Sequence, residues 1–452
     1  MRVVRRALRS HLPPGRVLLL LQARAQRLGI APPAALAGEW YSSSAVLVPS
    51  VRLVPMCDTD EALAVPTRVP GLDAPPGVVG GGWIGYLGHG LTDPSRRPSA
   101  LPDAVWGWTD HVLRLDRGGQ WWFEAITTGD AHRGLADDYQ RLLSTEPPEP
   151  AGWNASPLRR PARSDHEHAV RRCIDAIEAG ELYQANICSR FHGTFDGCPA
   201  ELFATGVTEL HARRSAFLAG DWGAVVSFSP ELFLARHHDR IHSTPIKGTL
   251  PRRGHPADDG NAERLLRSEK DVAENVMITD LVRNDLGRVS EVGSVIVTDL
   301  LSVRPAPGVW HLESTVESRL ASGVDDADLL RAAFPPGSVT GAPKLRALDL
   351  IAELEPEARG VHCGAVGFAS PIAGMELNVA IRTFELSPLA RGGFAVALGV
   401  GGGITASSRE RLEWRECLHK AAPLVALLSS GVHRGSMTRP VPGVRAAVMR
   451  TS

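Results

Sequence analysis

The chain has no surplus of charge of either sign: 49 lysines and arginines face 50 aspartates and glutamates, for a formal net charge of −1. That balance excludes a general nucleic-acid or polyanion binder, because no basic excess is present to neutralise phosphates. Cysteine is sparse. Cys57, Cys173, Cys188, Cys198, Cys363 and Cys417 include no C-x-x-C and no compact even spacing. The spacing therefore gives neither a disulfide framework nor a zinc site, and a reducing cytoplasm is the expected compartment. Long apolar runs are missing too. The basic start is followed by an apolar run only from Val17 to Leu21 and then by Arg24 and Arg27. That is too short for a secretory signal, and no membrane span is expected elsewhere. No G-x-S-x-G elbow occurs, and "GSVTGAPK" (337–344) is one residue short of a phosphate-binding loop, with no Ser or Thr after Lys344.

What is present is the composition of a globular chain, 43% hydrophobic and 22% charged over 452 residues, with room for two domains or one large intertwined one. The proline-rich stretch 145–164 reads as a linker or crossing segment. Before it, 78–90 and 112–126 read as strands joined by glycine turns. After it, Ser164 with Glu167 forms a capping box for a helix that stops at Gly180. "LYQANICSRFHGTF" alternates as a strand, with Tyr183, Ala185, Ile187 and Phe191 on one side and Gln184, Asn186 and Arg190 on the other. Residues 224–249 read as two strands around a His-Asp-Arg turn. "NAERLLRSEKDVAENVMITDLVRND" reads as one amphipathic helix capped by Asn261, and a second begins after the glycine-rich turn 398–408 with Ser407 or Ser408 as cap. Strands and helices without regular βαβ alternation predict an α+β fold of antiparallel sheets.

Two helical carboxylate pairs stand out, Asp271 with Glu274 and Glu413 with Glu416, each pair three residues apart on one face. Facing each other across a cleft, they would suit Mg²⁺, which takes hard oxygen ligands; taken singly, on spacing alone, they read as solvated surface acids. The histidines of "HEH" (166–168) and "HH" (237–238) lack metal-site spacing and read as solvated surface. In "STPIKGTLPR" one lysine, Lys247, sits between residues that fix the backbone. A nucleophilic amine needs such positioning and a lowered pKa.

Taken in order, "SPELFLARHHDRIHSTPIKGTLPR", "AENVMITDLVRNDLGRV", "GSVTGAPKLRALDLIAELE", "GAVGF", "VAIRTF" and "GGGI…ECLHKA" resemble the chorismate-utilising enzymes. That family includes anthranilate, isochorismate, salicylate and aminodeoxychorismate synthases. The resemblance is dense from 164 to 428 and looser before the linker. It implies two intertwined subdomains with the active site in the cleft between them. Residues 1–150 would form an N-terminal subdomain, 151–163 the linker, 164–430 the chorismate-binding catalytic domain and 431–452 a disordered tail. Anthranilate and isochorismate synthases resemble each other in carrying alanine where this chain has Lys247, whereas aminodeoxychorismate synthases carry "PIKGT". Gln184 stands where hydrating members have a basic lysine, and an amide cannot deprotonate water.

The resemblance therefore implies amination of chorismate to 4-amino-4-deoxychorismate, on the way to 4-aminobenzoate and folate. The alternatives are an anthranilate synthase, another chorismate-aminating enzyme or a non-catalytic paralogue. Lys247 would be the covalent nucleophile, Glu231 the general acid, and His311 a residue near the ring. Glu274 and Glu416 would hold Mg²⁺, with Asp271 and Glu413 beside them. Arg382 would clamp a substrate carboxylate, helped by the backbone at Gly401 and Gly403 and by Lys344 and Lys420. Gln184, Ser229, Thr249, Ser338 and Gly341 would line the site. His362 and Phe368 replace tyrosines common in the family, and Pro336 a glycine. Nothing in the chain resembles a glutamine amidotransferase, so ammonia would come from a separate amidotransferase subunit.

Overall fold

The computed structural model describes residues 2–68, 71, 72, 74–128, 132, 134–252, 254, 258 and 260–431; the expected tail from 432 onward lies outside them. The strands Ala34–Trp40, Ser43–Val48 and Gly223–Ser229 are buried along almost their whole length, so both faces of the sheet they form must be covered. Alternation divides their side chains, and those of the neighbouring strand Arg214–Gly220, between two cores. Ala35, Ala37, Leu47, Phe217 and Val226 pack beneath helices, whereas Ala34, Leu36, Val46, Leu218 and Val225 meet Ile84, Tyr86, Val366 and Phe368 of a second sheet. The outcome is four layers, helix, sheet, sheet, helix.

The larger sheet has 12 strands. Its path runs from Arg2–Leu8 through Trp121–Thr127, His111–Asp116, Ser43–Val48, Ala34–Trp40, Arg214–Gly220, Gly223–Ser229, Thr383–Pro388, Phe394–Ile404 and Gln184–Asp196 to Gly341–Ala342. The smaller has 10 strands. It runs from Ile246–Arg252 through Gly308–Arg319, Arg240–Thr244, Leu232–His237, Gly374–Val379, Ala365–Ser370, Gly82–Leu87 and Ala104–Thr109 to Val54–Met56. Each sheet takes strands from both sides of 145–164, a stretch that itself adds only Asn154–Ala155 to the larger sheet. Helices Pro14–Leu28, Pro199–Leu210 and Glu410–Ser429 cover the larger sheet. Glu269–Gly287 and Asp326–Ala333 cover the smaller. The expected α+β class with antiparallel sheets is observed.

Several local expectations give way. Residues 224–249 form four strands, because Pro230 and Pro245 fall between consecutive ladders and cannot donate to one. The helix after the linker starts at Arg163 with no side-chain cap. Ser164 instead bonds the Asp165 carboxylate at 3.1 Å, and Glu167 pairs with Arg163 at 2.8 Å. Its end is as expected, Gly180 adopting φ 79° just past the last turn. Gly260, not Asn261, caps the next helix; the Asn261 amide donates to the Pro251 carbonyl at 2.9 Å. That helix breaks at Ser268 into Asn261–Arg267 and Glu269–Gly287, the Ser268 hydroxyl accepting from the Asp271 N–H at 3.2 Å. The glycine-rich segment is the inner strand Phe394–Ile404, and helix Glu410–Ser429 follows from Arg409, with Ser408 bonding the Thr405 N–H at 3.2 Å instead of capping. Of the histidines read as solvated surface, His168 and His238 are exposed and His237 is partly exposed while pairing with Glu376 at 3.2 Å, but His166 is buried and bonds Ser189 at 3.0 Å. Among the described residues no helix is long and apolar enough to cross a membrane.

Ser268 sets where helix Glu269–Gly287 begins and hence the angle at which Glu274 enters the interior. Ser268→Ala is expected to destabilise the chain by about 1 kcal/mol, and Ser268→Asp, which keeps a capping oxygen, to restore most of it. Denaturant midpoints of the three proteins test this; equal midpoints would show the cap to be idle.

Candidate active site

Lys247 opens strand Ile246–Arg252 at the edge of the smaller sheet. Pro245 before it ends the preceding strand, and Gly248 after it takes φ 93°, so the chain turns its amine inward. The side chain is buried, with Nζ 3.9 Å from Glu274 Oε2. Burial pushes the Lys247 pKa down, against the opposing pull of Glu274.

Strand Phe394–Ile404 forms the facing wall. A Cβ on Gly403 would lie 2.3 Å from Gln184 Nε2, 2.8 Å from Glu274 Oε2 and 3.0 Å from Lys247 Nζ. A Cβ on Gly402 would lie 3.6 to 3.7 Å from Glu413 Oε2, Glu416 Oε1 and Lys420 Nζ. Gly403 is bare because polar side-chain ends converge where its own side chain would stand, whereas at Gly402 a Cβ would only reach contact distance of the charged ends. Gly401 and Gly403 pair with Cys188 and Asn186 of strand Gln184–Asp196. Gly341 closes that strand's other side, where a Cβ would sit 2.1 Å from the Gln184 carbonyl. Gln184 is fully buried with neither amide atom partnered among the described residues.

The acids differ in environment. Glu231, between strands Gly223–Ser229 and Leu232–His237, is buried and its pKa is raised to about 7. Burial outweighs a hydrogen bond from Ser338 and the charge of Lys247. Its N–H donates to Ser229 Oγ at 3.2 Å. Glu274 is also raised by burial, against Lys247 and Lys270. Glu416 goes the other way. It is half-exposed, and Lys420 at 2.8 Å overcomes the effect of burial and holds it down at about 2. Lys420 also donates to the Gly401 carbonyl at 3.0 Å. Glu413 receives Lys270 Nζ at 2.6 Å, the same ammonium lying 3.7 Å from Glu274 Oε1. Asp271 packs against Gly248, a Cβ there meeting its own at 3.1 Å.

On the remaining side, Thr249 Oγ1 bonds His311 Nδ1 at 2.9 Å, leaving His311 Nε2 unpartnered among the described residues. Burial and then the nearby Arg382 and Arg213 charges push the His311 pKa down to about 3, so the ring is neutral. Arg382, held at φ 52°, forms no ion pair within 4 Å among the described residues and is influenced by Glu231. Fifteen of the expected residues fall in or against this one cleft, and Ser229 supports it through the backbone. Lys344 is the exception: its ammonium is engaged by Asp285 at 2.6 Å and the Ala333 carbonyl at 2.8 Å.

Lys270 and Asp285 escaped the sequence reading. The first had a signal, since a lysine four residues before Glu274 shares its helix face. The pairing of Asp285 with Lys344 joins residues 59 apart and had none. The oxygen donors Glu274, Glu413 and Glu416 suit a hard divalent cation. Glu274 Oε1 is buried without a hydrogen bond, and the ammonium of Lys270 occupies the gap between two of the carboxylates.

A dry primary amine, an acid poised near neutrality, several carboxylates and a guanidinium with no ion pair among the described residues meet in one cleft, the make-up of an enzyme site for an anionic small molecule. Residues 58–426 match the chorismate binding enzyme family, and the chain belongs to that family. It is 37% identical over 350 residues to aminodeoxychorismate synthase component 1 of Salmonella typhimurium, covering 75% of each chain. It is 34% identical over 388 residues to anthranilate synthase component 1 of Streptomyces coelicolor, covering 79% of this chain and 74% of the relative. The fold superposes on the menaquinone-specific isochorismate synthase of Escherichia coli with TM-score 0.73 at 19% identity, covering 95% and 94% of the two chains.

The raised Glu231 pKa has a consequence for stability. Between its ordinary 4.5 and about 7 the folded chain holds a proton that the unfolded chain has released. Stability is therefore lost as pH rises through that window. Glu231→Gln removes this slope, and its denaturation midpoint should overtake that of the wild type above about pH 7. Parallel pH profiles for the two proteins would rule Glu231 out as the group responsible.

Proposed function

We propose that the chain aminates chorismate, replacing the C4 hydroxyl by an amino group to give 4-amino-4-deoxychorismate, the precursor of 4-aminobenzoate and hence of folate. One observation carries this: Lys247 is a buried amine with a lowered pKa, placed among carboxylates. By resemblance, anthranilate and isochorismate synthases carry an alanine at that place. The names of similar proteins support it, including aminodeoxychorismate synthase component 1 of Salmonella typhimurium.

In the proposed reaction neutral Lys247 Nζ forms a bond to C2 of chorismate. The two ring double bonds shift and the C4–O bond breaks. Glu231, half-protonated near neutrality, gives its proton to the departing oxygen, which leaves as water. Ammonia then bonds to C4, the double bonds shift back, and the C2–N bond to Lys247 breaks. Covalent capture divides one difficult displacement into two easier ones. Arg382 would hold a substrate carboxylate, since its guanidinium has no carboxylate partner among the described residues. His311, neutral and fixed by Thr249, would offer Nε2 to the substrate. Glu274 and Glu416, with Glu413 and Asp271 beside them, are the residues that would hold Mg²⁺. When bound, such a cation neutralises and orients the ring carboxylate. The word component in the relatives' names supports a separate glutamine amidotransferase as the source of ammonia.

Purified chain given chorismate, Mg²⁺ and ammonium at alkaline pH should form aminodeoxychorismate, identified by mass and chromatography. Lys247→Ala should lose the reaction by at least about a hundredfold, the scale of removing a nucleophile. Anthranilate as product would replace this reading with the anthranilate synthase one. Use of glutamine by the chain alone would overturn the separate partner.

Lys270 supplies a further test. In the metal-free protein its ammonium compensates Glu413 and Glu274. Lys270→Met should therefore lower metal-free stability and tighten Mg²⁺ binding, read by calorimetry. Unchanged affinity would place the cation elsewhere.

A further inference from the structure

Cys188, His362 and Cys363 are scattered in the sequence, and their spacing gave no sign of a metal site. The fold brings one donor atom from each within 4.8 Å of the others, at exposures of 7%, 2% and 0%. The two sulfurs are 3.8 Å apart. That matches the edge, about 3.8 Å, of a tetrahedron around an ion bonded to sulfur at about 2.3 Å. Both ring nitrogens of His362 lack a hydrogen-bond partner among the described residues, an uncommon state for so buried an imidazole. The ring cannot retreat on one side, because a Cβ on Gly399 would lie 2.3 Å from its Cδ2. Cys363 itself is held at φ 68°, a left-handed backbone that cysteine rarely adopts and that marks ligand clamps elsewhere.

The charges around the cluster are already balanced. Arg359 pairs with Glu355 at 2.6 Å and Arg190 with Glu385 at 3.0 Å. Glu355 accepts the Cys188 N–H at 2.8 Å and Glu385 the His362 N–H at 3.2 Å. Two thiolates alone would leave this dry interior doubly negative, whereas two thiolates with a divalent cation are neutral. The Asn186 amide donates to Cys188 Sγ at 3.1 Å and so orients that sulfur.

We propose that Cys188, His362 and Cys363 form a buried binding site for one thiolate-preferring divalent cation of the zinc type, distinct from the carboxylate cleft. Its fourth ligand is a water. His89 is the residue placed to hold it: a second buried imidazole with both nitrogens unpartnered among the described residues, its backbone N 3.0 Å from where a Cβ on Gly364, next to Cys363, would lie. The ion joins the two sheets. Cys188 lies on strand Gln184–Asp196 of the larger, opposite Gly401, and Cys363 lies two residues before strand Ala365–Ser370 of the smaller. It thus fixes the strand that pairs with the active-site glycines, a structural role and not a catalytic one.

The test is metal analysis of the full chain, expressed with added zinc and then dialysed against EDTA, beside Cys363→Ser, His362→Gln and the exposed-cysteine control Cys57→Ser. The wild type and the control should each retain one zinc per chain, and the two cluster variants at least about tenfold less. To separate metal loss from misfolding of those variants, the wild type is also refolded with cobalt(II). A thiolate-to-cobalt charge-transfer band with strong tetrahedral d–d absorption supports the site. Zinc-free wild type, equal zinc in all four proteins, cobalt without thiolate absorption, or a Cys188–Cys363 disulfide in the mass spectrum would each overturn it.

Discussion

An amine that must be dry enough to lose its proton, yet close enough to carboxylates for its charge to be tolerated, sets the terms for the rest of this structure. Burying an isolated ammonium is prohibitive, and burying it beside too strong a partner would fix the charge that nucleophilic attack has to remove. Lys247 lies between those limits. Its nearest carboxylate oxygen, Glu274 Oε2, is 3.9 Å away, beyond hydrogen-bonding distance, and burial outweighs that attraction. Only a deep cleft can maintain such a balance. The four-layer architecture supplies one where the edge of the smaller sheet, which carries Lys247, meets strand Phe394–Ile404 of the larger.

That geometry explains the glycine at 403, while a Cβ at Gly401 would meet Cys188 Sγ at 2.5 Å. A strand in a sheet interior normally loses stability with each glycine, because there is no side chain to pack. Here the space a Cβ would take at Gly402 and Gly403 is bordered by the ends of Glu274, Glu413, Glu416, Lys247 and Lys420. The polar groups of the site therefore pack directly against backbone. The fixed position of that strand rests in turn on its ladder with Gln184–Asp196, whose residues support the cleft at Gln184 and the thiol cluster at Cys188.

How much of this was legible depended on the range of the interaction that fixes each feature. The residues of the cleft could be named in advance because their order along the chain resembles a known family, and the α+β class followed from the alternation of strands and helices. Boundaries were less readable. A helix broken at Ser268 looks continuous, since the apolar period passes through the break and only the serine hydroxyl on the Asp271 N–H marks it. The glycine segment looked like a turn because propensity is local, whereas the contacts that make it a strand come from residues more than 200 positions earlier. Lys344 was expected as a substrate partner by resemblance, and in the fold Asp285 engages it. Cys188 and Cys363, 175 residues apart, carry no sequence pattern that joins them.

The cleft also shows how like residues acquire unlike tasks. Glu231 and Glu416 are both glutamates within reach of lysines, and Lys420 acts on each. Glu231 sits where desolvation dominates and has its pKa raised to about 7; Glu416 is in direct contact with the Lys420 ammonium and is held at about 2. A carboxyl that keeps its proton near neutrality can donate it, whereas one that never takes it up can serve as a permanent oxygen donor to a cation. The division follows from distance to one ammonium and from access to water. It would persist whichever anionic ring the cleft receives, so proton donation and cation binding are properties of the walls, while the choice of attacking group is left to Lys247.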